Sequence, residues 1–228
     1  NVSACIQSVS GNRYVSEIIV VDAGSDDQTH ILAQQAGAQV LIHNKPIENG
    51  GGRGGQIKTG IRAARGDIVA IVHADTILPD FEIDRMLAEL NHRPGVIGGS
   101  VGCRFDSPRR QYRILELAND FRAAFFKISF GEQVQFFRRE PVVRKNLFPG
   151  IPLMEDVELS IRLNRLGKQV YLYGNAMVSA RRWDQKGSKN AVLVIWLVIL
   201  YLVKRLGGTP DTSELYRRYY NIKNGRHS

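Results

Sequence analysis

The chain has 228 residues, of which 43% are hydrophobic and 23% charged; this is the balance of a folded globular protein and excludes a disordered or fibrous one. Two cysteines, Cys5 and Cys103, are too few for a disulfide framework and suggest a reducing compartment. The net charge of +9 is unevenly spread: residues 1–180 carry 21 basic and 19 acidic side chains, whereas 181–228 carry ten and three. A basic surplus admits nucleic acid, an anionic membrane surface or a phosphorylated substrate as partner.

Taken in order, residues 1–9 have the apolar spacing of an amphipathic helix, with no strand ahead of it. Residues 17–21 form a short apolar strand, followed by a turn rich in aspartate (Asp22, Asp26, Asp27) and a helix over 28–36 closed by Gly37. A strand over 39–42 leads to a glycine-rich loop at 50–55, a helix over 56–64 and a nearly continuous apolar strand over 67–73, as for a strand covered on both faces. The alternation predicts βαβ units and a largely parallel sheet. Beyond it follow a helix over 81–91, strands near 96–105, a helix over 110–127, a strand over 133–138, a helix over 155–166, a strand over 169–173 and helical structure from 189. The longest apolar run, 191–203, is too short to span a bilayer and suits a buried or interfacial helix. No secretion signal or linker is visible, so a single α/β domain over 1–228 is expected, with 184–228 a basic helical extension.

Three acidic clusters fall at strand ends or helix starts: Asp22 with Asp26 and Asp27, Asp75, and Glu155 with Asp156. In open α/β sheets the carboxyl ends of strands border the ligand crevice, and carboxylates there suit a hard cation held together with phosphates. Each alone also reads as a cap or turn residue. Arg53 and Gln56 accompany the glycines, where backbone donors and a helix start favour phosphate; a plain flexible loop is the other reading.

Residues 17–27, Arg53-Gly54-Gly55-Gln56, 63–67, His73-Ala74-Asp75-Thr76 and Met154-Glu155-Asp156 stand in the order and spacing of family 2 glycosyltransferases, which the chain resembles over about 17–183. It is most similar to a small bacterial group found beside radical-SAM and selenium-domain proteins. The resemblance implies a GT-A fold, a mixed, mostly parallel sheet flanked by helices, whose first strand is absent from the chain. It implies a nucleoside-diphosphate sugar as donor, a hydroxyl acceptor (saccharide, lipid or small molecule), and Mn²⁺ or Mg²⁺ as cofactor.

Residue by residue, Asp22 falls where the family binds the nucleotide base, with Ser25 and Asp27 beside it. Asp75 matches the last acid of the metal motif, whose first acidic position is His73 here, a second ligand or a structural histidine. Asp156 matches the general base of the Glu-Asp motif, with Glu155 on the acceptor side; both also suit a helix N-terminus. Glu158 is read as polar surface of the same helix. Gln133 lies in a segment between donor and acceptor. Ser179-Ala180-Arg181-Arg182-Trp183 resembles an element of polysaccharide-extending members, which makes Arg181 or Arg182 a diphosphate ligand and Trp183 an acceptor contact. The competing readings are a sugar-phosphate nucleotidyltransferase and a non-enzymatic basic module on membrane or nucleic acid, although no motif for specific nucleic-acid recognition is present. Together these place the protein in the cytoplasm, with its C-terminal region touching the anionic inner face of the membrane.

Overall fold

A computed structural model describes residues 1–181, 184, 188–208 and 210–220. Helix α1 (Val2–Ser10) precedes strand β1 (Ile19–Asp22), helix α2 (Thr29–Gln35) and strand β2 (Gln39–Ile42), and β1 and β2 pair in parallel. The buried side chains of Val2, Ile6, Ala33 and Ala38 pack these four elements together. Helix α3 (Gly52–Ala63) leads to β3 (Ile68–Ile71), the two-residue β4 (Thr76–Ile77) and α4 (Asp80–His92). The rest comprises β5 (Val96–Phe105), α5 (Arg110–Phe126), β6 (Val134–Arg138), α6 (Arg139–Arg144), α7 (Glu155–Leu166), β7 (Lys168–Val178), α8 (Ser188–Lys204) and α9 (Ser213–Tyr220).

The larger sheet has the order β3-β6-β5-β7-β4. β5 and β7 run parallel, and β6 and β4 run antiparallel to their neighbours. Alternation along the strands builds one core on each face. Phe136 and Val96 join Met86 and Leu90 of α4 on one face, and the next residues along, Phe137 and Ile97, join Ile61 of α3 and Leu159 and Leu163 of α7 on the other. The architecture is therefore the mixed α/β fold expected. Burying Phe136 and Phe137 completely contributes about 2 kcal/mol each. Helices α8 and α9 close a third core against α7 through Val157, Leu197, Tyr201 and Leu215.

Several elements depart from the sequence reading. Only the start of the glycine stretch, Gly50 and Gly51, is a loop: α3 begins at Gly52, and Gly54 and Gly55 lie inside it. A Cβ at Gly54 would stand 1.9 Å from the Ile151 carbonyl oxygen, and one at Gly55 1.9 Å from that of Gly50. The glycines let the helix lie directly on backbone. Strand β3 is half-buried or exposed along its length rather than covered, because it borders a large cavity. Among the described residues β1 pairs only with β2 and β3 only with β6, and both strands line that cavity. β7 extends to Val178, five residues beyond the expected strand, and the short β4 and α6 were not anticipated. Both cysteines are free and buried. Cys5 donates to the His73 carbonyl at 3.4 Å, tying α1 to the end of the β3 segment.

Candidate active site

The cavity, about 1,320 Å³, runs from β1, α3 and β3 to the start of α7 and the helices α5, α8 and α9. Asp27, Arg53, Gln56, His73, Asp75 and Asp156 all line it. Residues from four segments of the chain thus converge on one space, which none of their local patterns could show.

The centre of the site is an ion-pair cluster across the cavity floor. Met154 adopts a left-handed backbone, φ +64°. Such a conformation costs a non-glycine residue about 1–3 kcal/mol and marks a position imposed by its surroundings. It turns the chain abruptly into α7, so that Glu155 and Asp156 stand in the first helical turn, where the helix dipole favours negative charge. Arg53, from the first turn of α3, reaches both: its Nε donates to Glu155 Oε1, and its Nη2 donates to Asp156 Oδ2 at 3.2 Å. Gly131 leaves room for the guanidinium, since a Cβ there would lie 2.4 Å from Arg53 Nη1.

Glu155 is fully buried, and its second oxygen, Oε2, has no hydrogen-bond partner among the described residues. Burial pushes its carboxyl above the usual range, and the Arg53 charge offsets this only partly. For Arg53 burial acts against the charge, but the Glu155 and Asp156 carboxylates outweigh it and hold the guanidinium firmly protonated. Asp156 is more open: it faces the cavity, with Oδ1 accepting from the Val157 amide at 2.8 Å.

Glu158 corrects the sequence reading. It is fully buried, not part of a polar surface. Its carboxylate accepts from Tyr201 Oη at 2.6 Å, Arg205 Nε at 2.5 Å and Arg162 Nε at 2.7 Å, fastening α8 to α7. Burial alone would raise its pKa, but the bonds from Arg205, Tyr201 and Arg162 prevail and hold it down at about 2.

On the opposite side, Asp22 is buried with its carboxylate turned into its own loop, accepting from the amides of Gly24 and Ser25 and from Ser25 Oγ at 2.5 Å. Burial acts to raise its pKa, and the Ser25 and Gly24 bonds more than compensate, leaving it lowered. Asp22 and Ser25 therefore shape the loop that carries Ala23 and Asp27 to the cavity wall. Asp27 accepts from the Thr29 amide at 3.0 Å, capping α2. Among the described residues no three His, Cys, Asp or Glu side chains gather as a metal cage. A single carboxylate, Asp75, with His73 beside it in the cavity wall, fits a hard cation held mainly by substrate phosphates and water rather than by a closed protein site.

Gln133 lies beneath the cavity, fully buried, accepting from Arg122 Nη2 at 2.9 Å and from the Phe130 amide at 3.2 Å. This exposes residues that sequence reasoning missed. Arg122, stacked 3.3 Å over the Phe130 ring, and Glu132, bonded to Asn119, line the cavity with Asp156. A lone arginine inside an apolar helix pattern carries no signal of such a position. Arg181 also lines the cavity, and Arg182 and Trp183 lie outside the described residues.

A cleft beside a mixed sheet, lined by carboxylates and arginines from separate segments, is the arrangement of an α/β enzyme site. Residues 1–148 match the model of Glycosyl transferase family 2, and the chain belongs to that family. It is 30% identical over 135 residues to undecaprenyl-phosphate 4-deoxy-4-formamido-L-arabinose transferase of Pseudomonas fluorescens (strain Pf0-1), covering 56% of this chain and 38% of that protein. It is 38% identical over 85 residues to glucosyl-3-phosphoglycerate synthase of Mycolicibacterium paratuberculosis, covering 34% of this chain and 25% of that one. The chain thus spans well under half the length of these relatives. The crystal structure of glucosyl-3-phosphoglycerate synthase from Mycobacterium tuberculosis in complex with Mn²⁺, uridine-diphosphate-glucose and phosphoglyceric acid shares the fold, with TM-score 0.64 and 23% identity over 92% of this chain and 76% of that one. No described helix is long and apolar enough to cross a membrane.

Proposed function

We propose that the chain transfers a glycosyl group from a nucleoside-diphosphate sugar to a hydroxyl acceptor by single displacement with inversion, with Asp156 as the general base. The carrying observation is that Asp156 faces the same cavity as Asp75, while Arg53 holds its carboxylate in place. A hydroxyl is a poor nucleophile until its proton is taken during attack. Asp156 Oδ2 keeps a lone pair beyond the bond from Arg53, so it can accept that proton as the acceptor oxygen joins the anomeric carbon and the bond to the diphosphate breaks. Asp75, with His73, would hold Mn²⁺ or Mg²⁺, which when bound stabilises charge on the leaving diphosphate.

Arg53 and Gln56 at the start of α3 suit the diphosphate, and the loop shaped by Asp22 and Ser25 and ending in Asp27 suits the nucleoside; Arg182 is a further diphosphate ligand in this reading. Glu155 holds Arg53, Gln133 supports Arg122 behind the acceptor side, and Trp183 contacts the acceptor. Residues 1–228 act as one catalytic domain, with 184–228 a basic extension that meets the anionic inner face of the membrane from the cytoplasm. Within the family we assign the chain, on the resemblance of its motifs, to the bacterial group associated with radical-SAM and selenium-domain proteins. The test is thermal-shift binding and hydrolysis of UDP-, GDP- and dTDP-sugars with Mn²⁺. One donor should raise the melting temperature, and Asp75→Asn and Asp156→Asn should each lower turnover by about two orders of magnitude or more while the fold persists. Full turnover in both variants would refute the reading.

A further inference from the structure

The C-terminal region is not the only apolar surface at the mouth of the cavity. Along α5, Ile114, Leu117, Phe121 and Phe125 recur at spacings of three and four residues, which places them in one narrow stripe, and all four are more than 60% exposed. Phe126 adds to its end: the Phe121 and Phe125 rings stack with centroids 5.7 Å apart, and Phe126 stands edge-on to both. Five large apolar side chains on one outward ridge exceed the scattered exposure normal for a monomer surface.

The charges of the same helix are sorted. Its two carboxylates turn inward, Glu116 to the Phe105 amide at 2.7 Å and Asp120 to Tyr171 and Arg104. The exposed charges at its start are all cationic: Arg109 pairs with Asp184 at 2.6 Å and Arg113 with Glu116 at 2.8 Å, while Arg110, one helical turn before Ile114, is exposed with its charge uncompensated among the described residues. A helix presenting phenylalanine and leucine with arginine, and no exposed carboxylate, has the chemistry of a bilayer interface: rings enter the acyl boundary and guanidinium groups meet anionic headgroups. The adjoining side of α5, Leu115, Ala118 and Arg122, lines the cavity, and so do Val194, Ile195 and Val198 of α8. Helix α8 carries its own outward apolar face, including Trp196, Ile199 and Val203. Each of these two helices thus carries an outward apolar ridge next to a side that lines the cavity.

We propose that the α5 ridge docks on an anionic phospholipid bilayer and seats the cavity mouth at its surface, so that the acceptor reaches Asp156 from the membrane. This rests on the transferase reading for the acceptor but not for the docking. The experiment is co-sedimentation of the full chain with phosphatidylcholine vesicles, with and without phosphatidylglycerol, alongside sedimentation velocity. Wild type should bind the anionic vesicles, and Phe121→Ser/Phe125→Ser should weaken partitioning about tenfold or more, with unchanged melting temperature and donor binding. Ile199→Ser/Val203→Ser tests the C-terminal face separately. Equal binding by the α5 variant, or none by wild type, would overturn the proposal. So would a wild-type dimer that the α5 substitutions dissolve, which would assign the ridge to self-association. Loss of all donor binding with vesicle binding intact would instead remove the transferase reading alone.

Discussion

Asp22 and Asp27 are satisfied by amides and hydroxyls within three residues of themselves, whereas the carboxylates of α7 depend on cations supplied from far along the chain. Glu155 and Asp156 draw on Arg53, 102 and 103 residues away, and Glu158 draws on Arg205, 47 residues away. The first arrangement forms as soon as its turn forms. The second exists only when α3, α7 and α8 have packed, so it couples the site to the completed fold. Local carboxylates set the shape of a loop; distant ones report on assembly.

Five measurements would break or sharpen that contrast. The largest effect is expected at Asp156: Asp156→Asn should lower kcat about 10²- to 10⁴-fold at unchanged melting temperature, as for loss of a general base. Next is Glu158→Gln, which leaves Arg205 and Arg162 without their buried counter-charge and should cost about 3–5 kcal/mol in urea unfolding. The same group predicts a pH dependence. Its folded pKa of about 2 lies below its ordinary 4.5, so its contribution is fully present above the ordinary value and lost as the pH falls from there toward about 2. Acid unfolding of wild type should steepen in that window, and Glu158→Gln should flatten it.

A smaller effect is expected at Arg53. Arg53→Gln strands a buried Glu155, but the arginine is a third exposed, so the cost should be nearer 2 kcal/mol. Adding Glu155→Gln should recover most of that stability in a double-mutant cycle, without recovering turnover. Smallest is Ser25→Ala, which removes one neighbour of Asp22 while two amides remain; about 1 kcal/mol is expected by thermal unfolding. A larger loss there would erase the distinction between local and distant carboxylates.

What could be read from residues alone follows the same division. The strand at 39–42 and the helix at 155–166 stand where periodicity put them, because their signals are complete within the segment. The acidic clusters were legible as turn and cap residues beside strand ends. The glycines at 52–55 were misread because their reason is the Ile151 and Gly50 carbonyls lying against the helix, which no local pattern contains. Glu158 looked like surface because its partners Tyr201 and Arg205 come from α8 and the residue just beyond it. Arg122 was invisible for the same reason: Gln133 and Phe130 orient it, and only the folded chain brings them together.

The two buried thiols have a practical consequence. Burial, then the nearby Asp75 charge, pushes Cys5 up to about 11; burial, then Glu132, pushes Cys103 up to about 12. Neither supplies thiolate at neutral pH, so maleimide reagents should leave the folded protein unmarked. A single cysteine introduced on the outer face of α5 would then carry a fluorophore without background, and its emission colour would distinguish aqueous from acyl surroundings in real time.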